Sequence, residues 1–208
     1  MTASAHWVRR FPPVVMVGLL FVVAASTDTF GQQSERNTRF PKHVLIIRHA
    51  EKPPEEENSI HLSFKGRERA NELYRLFKAS DDRPVLMAAP DFIFAAKMSK
   101  NSNRSVETVT PLARRLKRSI NAEYDDEDFE KLAREILENR KYSEKTILIS
   151  WHHSSIPELA NRLKAEGAPK KWKDAVFDRV WQIDYDKTGQ ATFQDFPQQL
   201  FELQPAGK

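Results

Sequence analysis

The run Val44-Leu45-Ile46-Ile47, followed at once by Arg48-His49-Ala50-Glu51-Lys52-Pro53, constrains this chain more than any other stretch. Four aliphatic residues without polar alternation describe a strand buried on both faces, the kind found inside a sheet covered by helices. The abrupt switch to charge delivers Arg48 and His49 to the carboxyl end of that strand, where an open α/β sheet leaves a crevice for ligands. The pair suits a phosphoryl group: a guanidinium offers a planar fork to two oxygens, and an unprotonated imidazole nitrogen attacks phosphorus. An isolated Arg-His at a strand end is more often an ordinary surface feature, so the rest of the chain has to decide.

Further along, helical and strand-like segments alternate. The first strand covers about His43–Ile47. A polar loop, Lys52 to Ser59, leads to a helix for which Ser63 is a fair N-cap and on which Ala70, Leu73, Leu76 and Phe77 share a face. Gly66 in its first turn disfavours a helix, which points to close packing or ligand approach. Phe92-Ile93-Phe94-Ala95 reads as a second buried strand. A basic amphipathic helix follows over Ser105–Lys117, with Pro111 expected to kink or break it. Acidic residues 125–128 begin another helix, and Thr146–Ser150 forms a third buried strand before a helix over about Ser155–Lys164. Val180–Tyr185 and Gln190–Phe193 read as strands around the turn Asp186-Lys187-Thr188-Gly189. Strands separated by helices imply crossover connections and a three-layer α/β/α sandwich with a mainly parallel central sheet.

Three strand ends thus converge on one cleft. The first brings Arg48 and His49, the second is followed by Ser102-Asn103-Arg104-Ser105-Val106-Glu107-Thr108, and the third ends in Trp151-His152-His153. Between the first two lies Leu62-Ser63-Phe64-Lys65-Gly66-Arg67-Glu68-Arg69-Ala70. With this ordered set the chain resembles the histidine phosphatase superfamily, the phosphoglycerate-mutase-like fold, in its smaller branch. There an RHxE strand end precedes an LSxxGxxRA helix. The resemblance runs from about Lys42 to Leu203 and includes the strand around Trp181 and the segment Pro197-Gln198-Gln199-Leu200.

The resemblance implies a phosphohydrolase in which His49 is the nucleophile and is transiently phosphorylated. Arg48 and Arg104 are the implied pocket arginines, and a late histidine completes the pocket. Adjacent residues of a strand face opposite ways, so His152 and His153 should not share a role. Relatives reading Gly-His-x-x-x-Ile-Pro favour His152, whereas those reading Trp-Glu-His-x-x-Ile-Pro favour His153. Trp151, Ile156-Pro157 and the Pro197-Gln198 tail select His153 as catalytic, with His152, Glu51 and Ser63 contacting substrate. No convincing match to the family's leaving-group acid is present, and Asp125 to Asp128 read as a solvated helix start. Good leaving groups, such as phosphohistidine, phosphoramidates or acyl and anhydride phosphates, are therefore the expected substrates. Neither metal nor other cofactor is required. A metal set of His49, Glu51, His152 and His153 lacks a recognised ligand spacing and leaves both arginines unexplained. A non-catalytic phospho-ligand binding module and a phosphomutase are the alternatives on the same fold.

Composition narrows the setting. The chain has 208 residues and no cysteine, so disulfides and thiolate metal sites are excluded. Arg9-Arg10 precede an apolar core of about 12 residues, Val14 to Ala25, which fits a signal peptide better than the ~20 residues of a spanning helix. Residues 1–31 are expected to be a signal peptide or N-terminal anchor, 32–41 a linker and 42–204 the catalytic domain. Export to a periplasmic or extracellular space follows, with membrane attachment only if the segment stays uncleaved. Without Arg9, Arg10 and Asp28 the formal charge of +4 falls to about +3. Basic residues interleave with acids, which speaks against nucleic acid as partner and leaves a phosphorylated small molecule or phosphoprotein. Oligomeric state is not legible.

Overall fold

In the computed structural model, Met1, residues 39–79 and residues 87–201 are described. The expected signal segment, most of the linker and the last few residues of the expected domain lie outside them. Among the described residues no helix is long and apolar enough to cross a membrane.

The aliphatic run is the sheet's interior strand, β1 (His43–Arg48), in which Val44 through Ile47 are at most 1% exposed. The others are β2 (Phe92–Ala95), β3 (Ile120–Asn121), β4 (Thr146–Trp151), β5 (Arg179–Tyr185) and β6 (Ala191–Pro197). They form one sheet in the order β3-β2-β4-β1-β5-β6. The β3-β2-β4-β1 portion is parallel, and β5 and β6 extend it antiparallel from the far edge of β1. The α/β sandwich and its mainly parallel sheet are thus as the segment pattern implied.

Period-2 alternation sorts the strand side chains into two cores. Val44, Ile46, Ile147 and Ile149 pack with α3 (Phe129–Glu138) and α4 (Ile156–Arg162), and Trp151, Trp172 and Trp181 join them. Leu45, Ile47, Ile93 and Leu148 pack on the other face with α2 (Arg104–Leu116) and the short 3₁₀ turn Leu73–Phe77 that extends α1 (Phe64–Glu72). The helix expected to break at Pro111 does not. Val109, Leu112 and Ala113 keep both halves against the sheet, and the only intrahelical bond proline forfeits is the one to the Glu107 carbonyl.

Two details fix the edges. Phe40 stacks on Tyr185 with centroids 6.2 Å apart and packs on the core, so packed structure reaches back before Lys42. Gly189 closes the β5–β6 turn at φ +85° with the Phe40 ring against it, a position no Cβ fits. Asp186 Oδ1 accepts from the backbone of Thr188 and Gln190 within that turn.

Candidate active site

Register builds the site. Parallel pairing sets Val44 beside Ile147 and continues to Arg48 beside Trp151, and the His49 N–H donates to the Trp151 carbonyl at 3.0 Å. Laterally aligned residues of a parallel pair share a face. One step beyond the last pair, His49 and His152 therefore lie together, with ring centroids 5.4 Å apart in an edge-on arrangement. His153 turns elsewhere, its Nε2 3.5 Å from Asp174 Oδ1. The expected order of the two histidines is thereby reversed in placement: His152, rather than His153, is against the candidate nucleophile.

His49 is 3% exposed, and its Nδ1 lies 2.7 Å from the Ala50 carbonyl oxygen. A carbonyl only accepts, so the proton is on Nδ1 and Nε2 carries the lone pair. Burial pushes the His49 pKa down to about 3, opposed by the Ala50 bond and helped by His152, Arg48 and Arg104. The ring is accordingly neutral at any ordinary pH, with one bare nitrogen in a cationic pocket.

Both arginines are present beside it. Arg48, 2% exposed, donates through Nη1 to the carbonyls of Asp174 and, at 3.3 Å, Val176, and the Phe177 ring covers its guanidinium at 3.9 Å. Burial lowers its pKa to about 10, which leaves it charged at neutral pH. Arg104 opens α2 and donates through Nη1 to the Ser59 carbonyl at 2.9 Å. Burial lowers its pKa as well, with Glu107 opposing. The Nε atoms of both are buried without a partner. Among the described residues neither guanidinium has a carboxylate within ion-pair distance. Buried unpartnered donors on charged groups are costly and mark a place for an anion.

Glu51 and Ser63, expected to touch substrate, are committed elsewhere. The Glu51 carboxylate accepts a bidentate pair from Arg69 at 2.9 and 2.7 Å. Burial would raise its pKa, but the Arg69 bonds and charge, with Lys65, hold it below the usual carboxylate value. An ionised carboxylate gripped by both oxygens is neither a ready proton donor nor a free metal ligand. Ser63 Oγ caps α1 by accepting the Gly66 N–H at 3.0 Å. Gly66 is there for packing: a Cβ would collide with the Glu51 carbonyl, which accepts the Ser63 N–H at 2.9 Å. His61 is held by Glu107, whose other oxygen accepts the Leu62 N–H at 2.9 Å.

Four residues escaped the sequence reading as site members. Arg69 stood in the LSxxGxxRA segment, but nothing marked its partner as Glu51. Asp126 places Oδ2 3.6 Å from His152 Nδ1, while its carbonyl accepts the Trp151 Nε1–H at 3.0 Å. It was hidden in an acidic run that resembles any helix start. Phe177, 6.1 Å from the His49 ring centroid, and Thr108, bonded to Ala50, carry no chemical signature in sequence.

No family model and no curated protein matches the sequence. Solved structures do match. A mutant phosphoserine phosphatase from Entamoeba histolytica, in complex with phosphoserine, superposes with a TM-score of 0.52 at 13% identity, over 77% of this chain and 99% of that one. Phosphoglycerate mutase from Bacillus anthracis str. Sterne gives 0.53 at 13% identity, over 78% and 95%. The class defined is that of α/β sandwiches built on a mainly parallel sheet. More narrowly, the fold is the one these two structures share, the phosphoglycerate-mutase-like fold.

Proposed function

We propose that this protein is a phosphohydrolase acting through a phosphohistidine intermediate on His49. The observation that supports the reading best is a neutral, buried imidazole with a bare Nε2 beside two guanidiniums whose Nε atoms are buried and unpartnered. A phosphoryl dianion satisfies those donors. Its oxygens lie between Arg48 and Arg104, where charge redistributes during transfer. His49 Nε2 forms a bond to phosphorus as the bond to the leaving group breaks. The positive charge that develops on the ring is stabilised by the Nδ1–H bond to Ala50. Water then attacks phosphorus, the P–N bond breaks, and phosphate departs with His49 restored.

In this reading the leaving-group proton is handled by Asp126, whose Oδ2 is 3.6 Å from His152 Nδ1. Asp126→Asn is expected to slow hydrolysis of an alkyl phosphate by about 100-fold or more, the usual contribution of a positioned acid. On p-nitrophenyl phosphate, whose phenolate departs unaided, the loss should stay under about 10-fold. Equal losses on both substrates would remove Asp126 from proton transfer.

The class itself is tested with a panel of phosphomonoesters, phosphoramidates and acyl phosphates. Rapid quenching with labelled substrate should trap label that is acid-labile and base-stable, as a phosphoimidazole is. No turnover of any member and no trapped label would overturn the proposal. Delivery of the label to an added alcohol in preference to water would make the protein a phosphomutase.

A further inference from the structure

We infer that Thr108 is a positioning residue for the nucleophile, tying the strand end that carries His49 to the helix end that carries Arg104. This rests on the reading of His49 just given. Thr108 is 1% exposed and lies one turn along α2 from Arg104. Its Oγ1 donates to the Arg104 carbonyl at 2.7 Å and accepts the Ala50 N–H at 2.8 Å. A hydroxyl has a single proton, so giving it to Arg104 aims a lone pair at Ala50. Each bond thus orients the other.

A threonine bonding back to the fourth preceding carbonyl is common in helices and by itself means little. Thr110 does so toward Val106 at 2.7 Å, partly exposed. Thr108 differs because its other bond reaches a second segment of the chain, and that segment is the one that sets the His49 tautomer. The Ala50 carbonyl is the acceptor for His49 Nδ1–H. On its N-terminal side the Ala50 peptide is held by Thr108. On its C-terminal side the Glu51 carbonyl accepts the Ser63 N–H at 2.9 Å, and the Glu51 side chain is gripped by Arg69. Ala50 itself is fully buried with Leu62 and Ala70. The carbonyl is therefore clamped from both directions. Releasing the Thr108 side lets it turn from Nδ1, and the ring is then free to carry its proton on Nε2. That tautomer blocks the attacking atom.

Two substitutions separate this role from a merely structural one. Thr108→Val keeps the volume and removes both hydrogen bonds, and Thr108→Ser keeps the bonds and loses a methyl. In the full-length protein, histidine side-chain ¹⁵N correlation spectra should show wild-type His49 as the Nδ1–H tautomer. Thr108→Val should gain a clear Nε2–H population, and Thr108→Ser should keep the wild-type pattern. With a substrate, Thr108→Val should lose about 100-fold in kcat, as sub-ångström misplacement of a reacting group does, with KM within about 3-fold. Thr108→Ser should stay within about 5-fold of wild type in kcat.

Spectra taken well below each variant's melting temperature keep the test valid if Thr108→Val is less stable. A lower melting temperature with unchanged tautomer and kcat would overturn the inference and leave Thr108 as packing. A wild-type His49 already in the Nε2–H form would overturn it too. The spectra need no substrate, so the two proposals fail separately. If the tautomer shifts in Thr108→Val but no phosphorylated compound is turned over by wild type, Thr108 stands and the phosphohydrolase reading falls.

Discussion

His49→Ala is expected to reduce turnover to background, at least about 10⁴-fold below wild type, the scale on which removal of a covalent nucleophile is felt. Among the described residues no other group is placed to take over. His152 is adjacent, but its Nδ1 faces Asp126 and its ring meets His49 edge-on. His153 is directed at Asp174. The same variant should still bind an anion, because Arg48 and Arg104 hold their positions through bonds to Asp174, Val176 and Ser59 rather than through His49. Inorganic phosphate or tungstate should therefore raise the melting temperature of both His49→Ala and wild type, following RT ln(1 + [L]/Kd). Turnover above about 1% of wild type, or trapped acid-labile label on the variant, would show that His49 is not the nucleophile. Lost anion binding together with lost turnover would mean the site had collapsed, and His49→Asn, which preserves more of the buried volume, would then be the informative variant.

The parts of this fold that were legible share a physical cause. β1, β2 and β4 are buried on both faces, so contiguous aliphatic and aromatic runs mark them without ambiguity. β5 and β6 are marked by the turn Asp186-Lys187-Thr188-Gly189 between them, although the antiparallel pairing of β5 on β1 and of β6 on β5 is not legible. β3 is two residues long, Ile120–Asn121, too short to show any period, and it exists because β2 offers it an open edge. Pro111 leaves α2 unbroken because a proline's effect depends on context. One forfeited hydrogen bond is a small loss against the burial of Val109, Leu112 and Ala113 on either side of it.

Legibility in the candidate site divides along a similar line. Arg48, His49 and Arg104 stood out because their chemistry and their positions at element ends are both local facts. What Glu51 does is not local. Glu51 meets Arg69, eighteen residues on, only because Gly66 lets α1 lie against the Glu51 backbone. Ser63 is used by its own helix, a role its N-cap position already offered. Asp126 was discounted as one of four acids before α3, and only the packing of Trp151 against its carbonyl singles it out. A strand tells which of its own residues alternate, but never where its neighbour begins.

That missing register underlies the choice between the late histidines. His152→Ala should lower kcat by at least about 100-fold, the range of a lost transition-state donor, while His153→Ala should cost under about 10-fold. The pairing of Arg48 with Trp151 carries His152 against His49, and leaves His153 toward Asp174, with Arg48 the charge that acts on it most. Burial lowers the His152 pKa, with Arg104 and Arg48 adding to it and Asp126 opposing. These influences favour the neutral ring. A phosphoryl dianion arriving against it reverses the sign of the local field, favours protonation and makes His152 a charged donor at the moment charge moves. Sensitivity to pH should follow: kcat of wild type falls as pH rises through the pKa of His152 in the complex, and His152→Ala loses that limb. Both variants must first melt within a few degrees of wild type, so that lost chemistry is not confused with unfolding. An inactive His153→Ala beside an active His152→Ala would mean that the ladder slips by one residue past Trp151. Severe and equal losses in both would instead mean that pairing ends before Trp151 and a loop presents the two rings together.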